Sequence, residues 1–331
     1  MTKKIIVTGG TGYIGSHTVV ELIKKGYNPI IIDNLSNSKK EVISRIEKIC
    51  KKKVSFFKID CTKEKKLKEL PIWDDVKGII HFAAHKSVSE SVDFPKKYLS
   101  NNIGSLEAIL NIMKYFKIEN LVFSSSCTVY GNPEKLPVTE KSKIQEPTSP
   151  YALTKQKCEE IIIKSSCINN YAILRYFNPI GAHKSSLIGE LNLNKPNNLV
   201  PLISKSIKEK TKLYIYGDDY NTLDGTCVRD YIHVCDVASA HVKVLEKLFT
   251  SNKKKYILNI GLSKGVSVLE LIKQFEQANN IKVNYEISNR REGDVEQIYA
   301  NCKLAEKELK WFPERSIKQA LIDAWNWEKN N

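Results

Sequence analysis

Short apolar runs rich in β-branched residues recur through the first half of the chain, separated by longer stretches in which apolar residues return every three or four positions. The runs predict strands near 4–8, 29–33, 54–59, 77–83 and 119–125, and the longer stretches predict helices near 13–26, 39–50 and 90–116. A helix near 151–167 and a strand from Tyr171 to Phe177 continue the alternation. Strands that alternate with helices imply a parallel sheet covered on both faces. After Asn178 the rhythm breaks into stretches rich in Gly, Asn and Pro, such as 189–201 and 217–225. Strands near 228–234 and 256–260 are expected to return to the first sheet. The expected fold is therefore α/β, a doubly wound parallel sheet over 1–178 with a smaller, interleaved unit over 179–331. No internal repeat is present.

Composition changes this picture little. With 331 residues, 42% of them hydrophobic, the chain can fill a sizeable core, which removes disorder as a reading. No apolar run reaches the length of a membrane span, and Thr2-Lys3-Lys4 leads straight into Ile5-Ile6-Val7. Neither a signal peptide nor a membrane anchor is expected. The eight cysteines are scattered, with no CxxC and no zinc-type Cys/His spacing, so reduced thiols, a cytoplasmic protein and no metal are expected. A net charge of +15 raises the question of nucleic acid, but the lysines lie in dispersed runs (51–53, 63–68, 253–255) without interleaved aromatics. They read as solvated surface, and no nucleic-acid partner is expected.

Gly9, Gly12 and Gly15 follow the first strand and open the first helix. Glycines there allow a tight turn and let backbone N–H groups approach a pyrophosphate at the helix N-terminus. Asp33 ends the second strand, where a carboxylate takes the ribose 2′-hydroxyl of a dinucleotide. That carboxylate would repel a 2′-phosphate, which favours NAD over NADP. The pattern is that of a Rossmann-type nucleotide site. Asp60, at the end of the third strand, is placed for an adenine contact or for capping a turn.

Ser149-Pro150 reads as an N-cap and first helical residue, which puts Tyr151 and Lys155 four apart on one helix face. An ammonium beside a phenol at a helix N-terminus favours the phenolate and is expected to lower a pKa of ~10 by a few units, making Tyr151 a base. An amphipathic helix with a surface lysine is the competing reading. Ser124-Ser125-Ser126 closes the fifth strand at the carboxyl edge of the sheet, where a hydroxyl can bond a reacting oxygen or simply form a turn.

The order glycine triplet, Asp33, Ser126, Tyr151/Lys155 resembles the extended short-chain dehydrogenase/reductase superfamily, and within it the UDP-glucose 4-epimerase family. The likeness runs through Val7 to Gly10, Asp33 to Ser38, His81 to Ala83, Ser124 to Gly131, Arg175 to Pro179, Pro196-Asn197-Asn198-Leu199, Val228 to His233 and Arg290-Arg291-Glu292-Gly293-Asp294. It covers nearly the whole chain. The resemblance implies that NAD is bound by the glycine turn, Tyr13, Ile14, Asp33, Asn34, Leu35, Ser36, Asn37, Ser38, Asp60, Cys61, Phe82, Ala83, Ala84, Lys86, Asn101, Tyr151, Lys155 and Phe177. It implies a UDP-sugar site of Ser126, Asn178, Asn198, Leu199, Tyr214, Tyr216, Arg229, Arg291 and Asp294. Residues 1–178 would then be the NAD domain and 179–331 mainly the UDP-sugar domain. A homodimer formed by the helices near 90–116 and 151–167 is also implied.

The implied reaction is oxidation at the sugar C4, with the hydride passing to NAD and the hydroxyl proton to Tyr151 aided by Ser126 and Lys155, then rotation of the 4-keto sugar and re-reduction on its other face, interconverting UDP-glucose and UDP-galactose. A 4,6-dehydratase or a decarboxylase would need a carboxylate beside Ser126, and Cys127-Thr128 supply none. A non-enzymatic NAD-sensing or nucleic-acid-binding protein would be expected to lack the Tyr/Lys pair. Two positions depart from the family: His85, read as a packed or surface histidine, and Ile298, intermediate in size where the sugar pocket closes. Ile298 leaves activity on the N-acetylated UDP-hexoses open.

Overall fold

The structure is a computed structural model, and it describes residues 2–191, 193, 198–291 and 293–331. Pro196, Asn197 and Glu292 of the family likeness lie outside the described residues.

In chain order the elements are β1 (Lys4–Thr8), α1 (Tyr13–Lys24), β2 (Asn28–Asp33), α2 (Glu41–Cys50), β3 (Ser55–Lys58), α3 (Glu64–Lys68), β4 (Val76–His81), α4 (Val88–Asp93), α5 (Pro95–Tyr115) and β5 (Asn120–Ser126). A 3₁₀ turn (Cys127–Tyr130) follows, then α6 (Pro150–Lys164), β6 (Asn170–Tyr176), β7 (Asn178–Ile180), α7 (Leu199–Glu209), β8 (Leu213–Tyr216), β9 (Val228–His233), α8 (Val234–Thr250) and β10 (Lys255–Ile260). The last are β11 (Gly265–Ser267), α9 (Val268–Asn279), β12 (Tyr285–Ser288), β13 (Gln297–Ile298), α10 (Lys303–Leu309) and α11 (Ile317–Asn330).

Seven strands form one all-parallel sheet in the order β10-β6-β5-β4-β1-β2-β3. Alternation within the apolar runs explains why both faces are dry. Ile5, Val7 and Ile31 point to a core shared with Val19, Val244 and Leu245, whereas Ile6, Ile30 and Ile32 point to a core shared with Leu106, Ile109 and Ile112. Each such side chain contributes about 1.5–3 kcal/mol on full burial. The chain winds outward from β1 to β3 and then crosses back to β4, so the switch point lies between β1 and β4. Ligands of open α/β sheets bind in that crevice.

Two expectations are corrected here. The strand near 228–234 does not return to the large sheet; β9 pairs with β7, β11 and β13 in a second, mixed sheet. Only the strand near 256–260 returns, as β10 beside β6. The helix near 90–116 is two helices, because Pro95 disfavours helical geometry at Phe94, which sits at φ −128°, ψ 58°. The second half is also more regular than its Gly/Asn/Pro content suggested. Around a core of Ile203, Ile215, Leu271, Phe275 and Leu321 pack α7, α9, α11 and the β8/β12 pair.

Candidate active site

All strands of the large sheet are parallel, so the residues that follow β1 to β6 emerge at one edge. There the structure gathers the glycine turn, Asp33, Asp60, Phe82, Ser126 and Phe177. The glycines are required by space. Gly9 has φ +68°, and a Cβ on it would lie 2.8 Å from the Ala83 backbone nitrogen across the switch point. A Cβ on Gly15 would meet the Gly9 carbonyl oxygen at 2.2 Å, so the first turn of α1 closes on the loop only with glycine. Gly10, overlooked in the sequence pattern, fits under Ile31.

Asp33 is buried, and each of its oxygens accepts one backbone N–H: Thr11 at 3.1 Å on Oδ2 and Leu35 at 2.9 Å on Oδ1. Thr11 and Ser38 join their hydroxyls at 2.6 Å behind it. A carboxylate oxygen has room for a further donor, so Asp33 can still receive ribose hydroxyls. The cradle and the carboxylate together fit a dinucleotide such as NAD. Asp60 caps a turn, accepting from the Thr62 N–H at 2.8 Å and hydroxyl at 2.7 Å, and it touches Asn34 at 3.4 Å. Cys61 turns its side chain into the core, leaving its backbone at the edge. Tyr13 begins α1 and donates to the Gly181 carbonyl at 2.6 Å, while Ile14 packs against the sheet.

The reactive pair sits in α6 as expected. The Ser149 hydroxyl accepts the Ala152 N–H at 3.2 Å, and Pro150 occupies the first turn. Tyr151 and Lys155 are both buried, which removes the reading of a surface lysine. Lys155 Nζ donates to the Ser124 carbonyl at 2.6 Å and lies 4.9 Å from the Phe123 ring centroid and 5.8 Å from that of Tyr151. The expected fall in the Tyr151 pKa is corrected: burial pushes the phenol well above the tyrosine range, Tyr176 adds to this, and a hydrogen bond with Ser126 opposes it. Burial also lowers Lys155 to about 8, against the pull of Cys158 and Glu159. Desolvation is the largest cause of the Tyr151 shift, and the Lys155 ammonium is bonded to a carbonyl of β5 rather than to the phenol.

Asn102 was not anticipated. Its Oδ1 accepts the His85 N–H at 2.8 Å, and its Nδ2 reaches the His85 carbonyl and the Thr154 hydroxyl, both at 3.1 Å. It thereby ties the loop after β4, with Ala83, Ala84 and Lys86, to the helix that carries Tyr151. The amide of Asn101 donates to Asn102 at 3.1 Å. The His85 ring packs on Tyr98, 5.4 Å between centroids.

The second unit faces this edge. Asn178 opens β7, and Asn198 and Leu199 start α7. Tyr214 and Tyr216 share the exposed face of β8. Arg291 bonds Asp294 at 2.6 Å and lies 5.8 Å from the Tyr216 ring centroid, so these three are brought together. One nitrogen of Arg229 is held by the carbonyls of Val228 (2.9 Å) and Glu296 (3.3 Å), leaving the rest of the fork for an anion. Ile298 pairs with Arg229 in the sheet and is buried with Cys127, Tyr130 and Phe177. Among the described residues no group of His, Cys, Asp and Glu is arranged to hold a metal, and no helix is long and apolar enough to cross a membrane.

Comparison with known proteins follows the same lines. Residues 5–261 match the NAD dependent epimerase/dehydratase family. The UDP-glucose 4-epimerase of Haemophilus influenzae is 43% identical over 331 residues, covering 99% of this chain and 98% of its own. A crystal structure of the Stenotrophomonas maltophila UDP-glucose-4-epimerase, with NAD and a formylated UDP-arabinopyranose, superposes with a TM-score of 0.95 at 40% identity, covering 99% and 98% of the two chains. The Bifidobacterium longum UDP-glucose 4-epimerase with NAD+ and UDP gives 0.93 at 39% identity over the same shares.

Proposed function

The chain belongs to the NAD dependent epimerase/dehydratase family, and we propose that within it this protein interconverts UDP-glucose and UDP-galactose. The observation that carries the reading is the buried trio Tyr151, Ser126 and Lys155 at the end of β5, with Lys155 bonded to the Ser124 carbonyl and no carboxylate in Ser126-Cys127-Thr128.

The oxidised nicotinamide supplies a hydride acceptor and a positive charge. The chain's own residues do the rest. Tyr151 takes the proton of the sugar 4-hydroxyl, and Ser126 steadies the oxygen as the C4 carbonyl forms. Lys155, fixed on the Ser124 carbonyl, holds its charge beside the phenol. Because burial opposes ionisation of Tyr151, the base depends on nearby cations, which confines its activation to the loaded site. Arg229, Arg291 and the tyrosines of β8 keep hold of the UDP while the ketose turns its other face, and the proton on Tyr151 returns. No net oxidation results, so the coenzyme stays bound. Glucose and galactose are the main pair, with Ile298 lining the sugar end.

The division at 178, with β10 returning to the NAD domain, fits this reading. We also place the protein in the cytoplasm, on the strength of eight free thiols, and assign it a homodimer. Beside α5 and α6, Val88, Val92 and Phe94 expose apolar surface that a second copy would cover. Sedimentation should return twice the chain mass.

The direct test incubates purified protein, with no added cofactor, with UDP-glucose and with UDP-galactose and follows the sugar by NMR. C4 inversion is expected in both directions. Folded, NAD-loaded protein that leaves both sugars unchanged would overturn the assignment. A pH profile adds a residue-level check. The charge on Lys155 is lost as pH rises through about 8, so kcat/KM, which reports the free holoenzyme, should fall above that pH. A profile level to pH ~10, the ordinary lysine range, would mean that burial does not weaken the charge on Lys155 in the holoenzyme.

A further inference from the structure

Glu190 stands where the two halves of the site meet. It is buried, and its backbone carbonyl accepts the Trp327 indole N–H of α11 at 3.1 Å, which fixes where its side chain begins. A single oxygen, Oε1, accepts from both Lys86 Nζ at 2.5 Å and Asn198 Nδ2 at 2.9 Å. Lys86 belongs to the loop after β4, on the coenzyme side, with its ammonium 5.7 Å from the Tyr13 ring centroid. Asn198 belongs to the start of α7, on the UDP-sugar side.

The asparagine carries a second observation. It is the N-cap of α7, with extended backbone at φ −87°, ψ 144°, yet its side chain makes no capping bond. Asparagine at that position ordinarily bonds the free N–H groups of the first turn. Here the amide is turned to Glu190 instead, which commits one of its two N–H donors and leaves the other, with Oδ1, for a ligand. Both donors share one oxygen, so a glutamine carbonyl there could accept them too but would bring no negative charge to the lysine, which weakens the bridge.

We propose that Glu190 is a positioning residue that couples the coenzyme site to the UDP-sugar site. Ordering Lys86 against one ligand fixes the carboxylate on which Asn198 rests, and the reverse holds for the second ligand. Each ligand then removes part of the ordering cost of the other, and the effect is equal in both directions by linkage. The identity of the ligands rests on the function proposed above.

The experiment measures NAD release from the holoenzyme with and without UDP, together with the kinetics on UDP-glucose. In the native protein UDP should slow NAD release by about tenfold, within the usual range of site-to-site coupling. In Glu190→Gln the UDP effect should shrink to about twofold or less, and KM should rise about tenfold with kcat little changed. A residue with a merely structural role would lower the melting temperature and kcat while leaving the UDP effect intact, and that result would overturn the proposal. Lys86→Met breaks the same bridge from its exposed end and should also abolish the UDP effect if Glu190→Gln does not fold. Native protein that inverts C4 but shows no effect of UDP on NAD release would sink the coupling alone. Absence of C4 inversion would sink the function instead.

Discussion

Phenylalanine at Tyr151 will lower kcat by about 10²- to 10⁴-fold, the usual contribution of a positioned general base, while the protein stays folded and keeps its NAD. The ring is buried and its volume is preserved. The backbone contacts of the residue also survive, since its N–H bonds Ser91 at 3.1 Å and its carbonyl accepts the Thr154 hydroxyl at 2.7 Å. Only the phenol oxygen is removed. Retained NAD absorbance with single-turnover rates within tenfold of native would mean that another group takes the C4 proton.

The second large effect lies one helical turn beyond Lys155. Glu159 and Arg175 are both buried and joined by three contacts, Nε at 3.0 and 3.2 Å and Nη2 at 2.5 Å. The Ser125 hydroxyl donates to the same carboxylate at 2.5 Å, and the remaining arm of Arg175 reaches the Tyr130 hydroxyl at 3.2 Å. Glu159→Ala leaves a buried guanidinium without its anion, and it should cost about 3–5 kcal/mol, read as a shift in the denaturant midpoint. Replacing both partners by methionine should cost much less, because no charge is stranded. A single substitution as mild as the double would mean that water reaches Arg175.

What could be read from the sequence was local. The apolar runs of β1, β2, β4 and β5 show their own periodicity, and the glycine triplet with Asp33 carries its geometry in its spacing. Tyr151 and Lys155 are likewise four residues apart on one helix. The misses depend on distant residues. Nothing near Val228 announces that β9 pairs with β7 rather than with β6, because that choice is made by the packing of the second core. Glu190 meets Lys86 across 104 positions, and Asn102 meets Thr154 across 52. The direction of the Tyr151 shift was misread for the same reason: the sequence displays a neighbouring ammonium but not the depth at which the phenol is buried.

The position of β10 constrains how the molecule comes into being. The outer strand beside β6 is delivered only after the chain has travelled through β7, α7, β8, β9 and α8. Until residue 260 has left the ribosome, β6 is an open edge whose N–H and C=O groups invite pairing with any passing strand. The large sheet therefore cannot be completed until β7, α7, β8, β9 and α8 have been made. A fragment ending at 178 would present that bare edge as a template for aggregation rather than a working nucleotide domain.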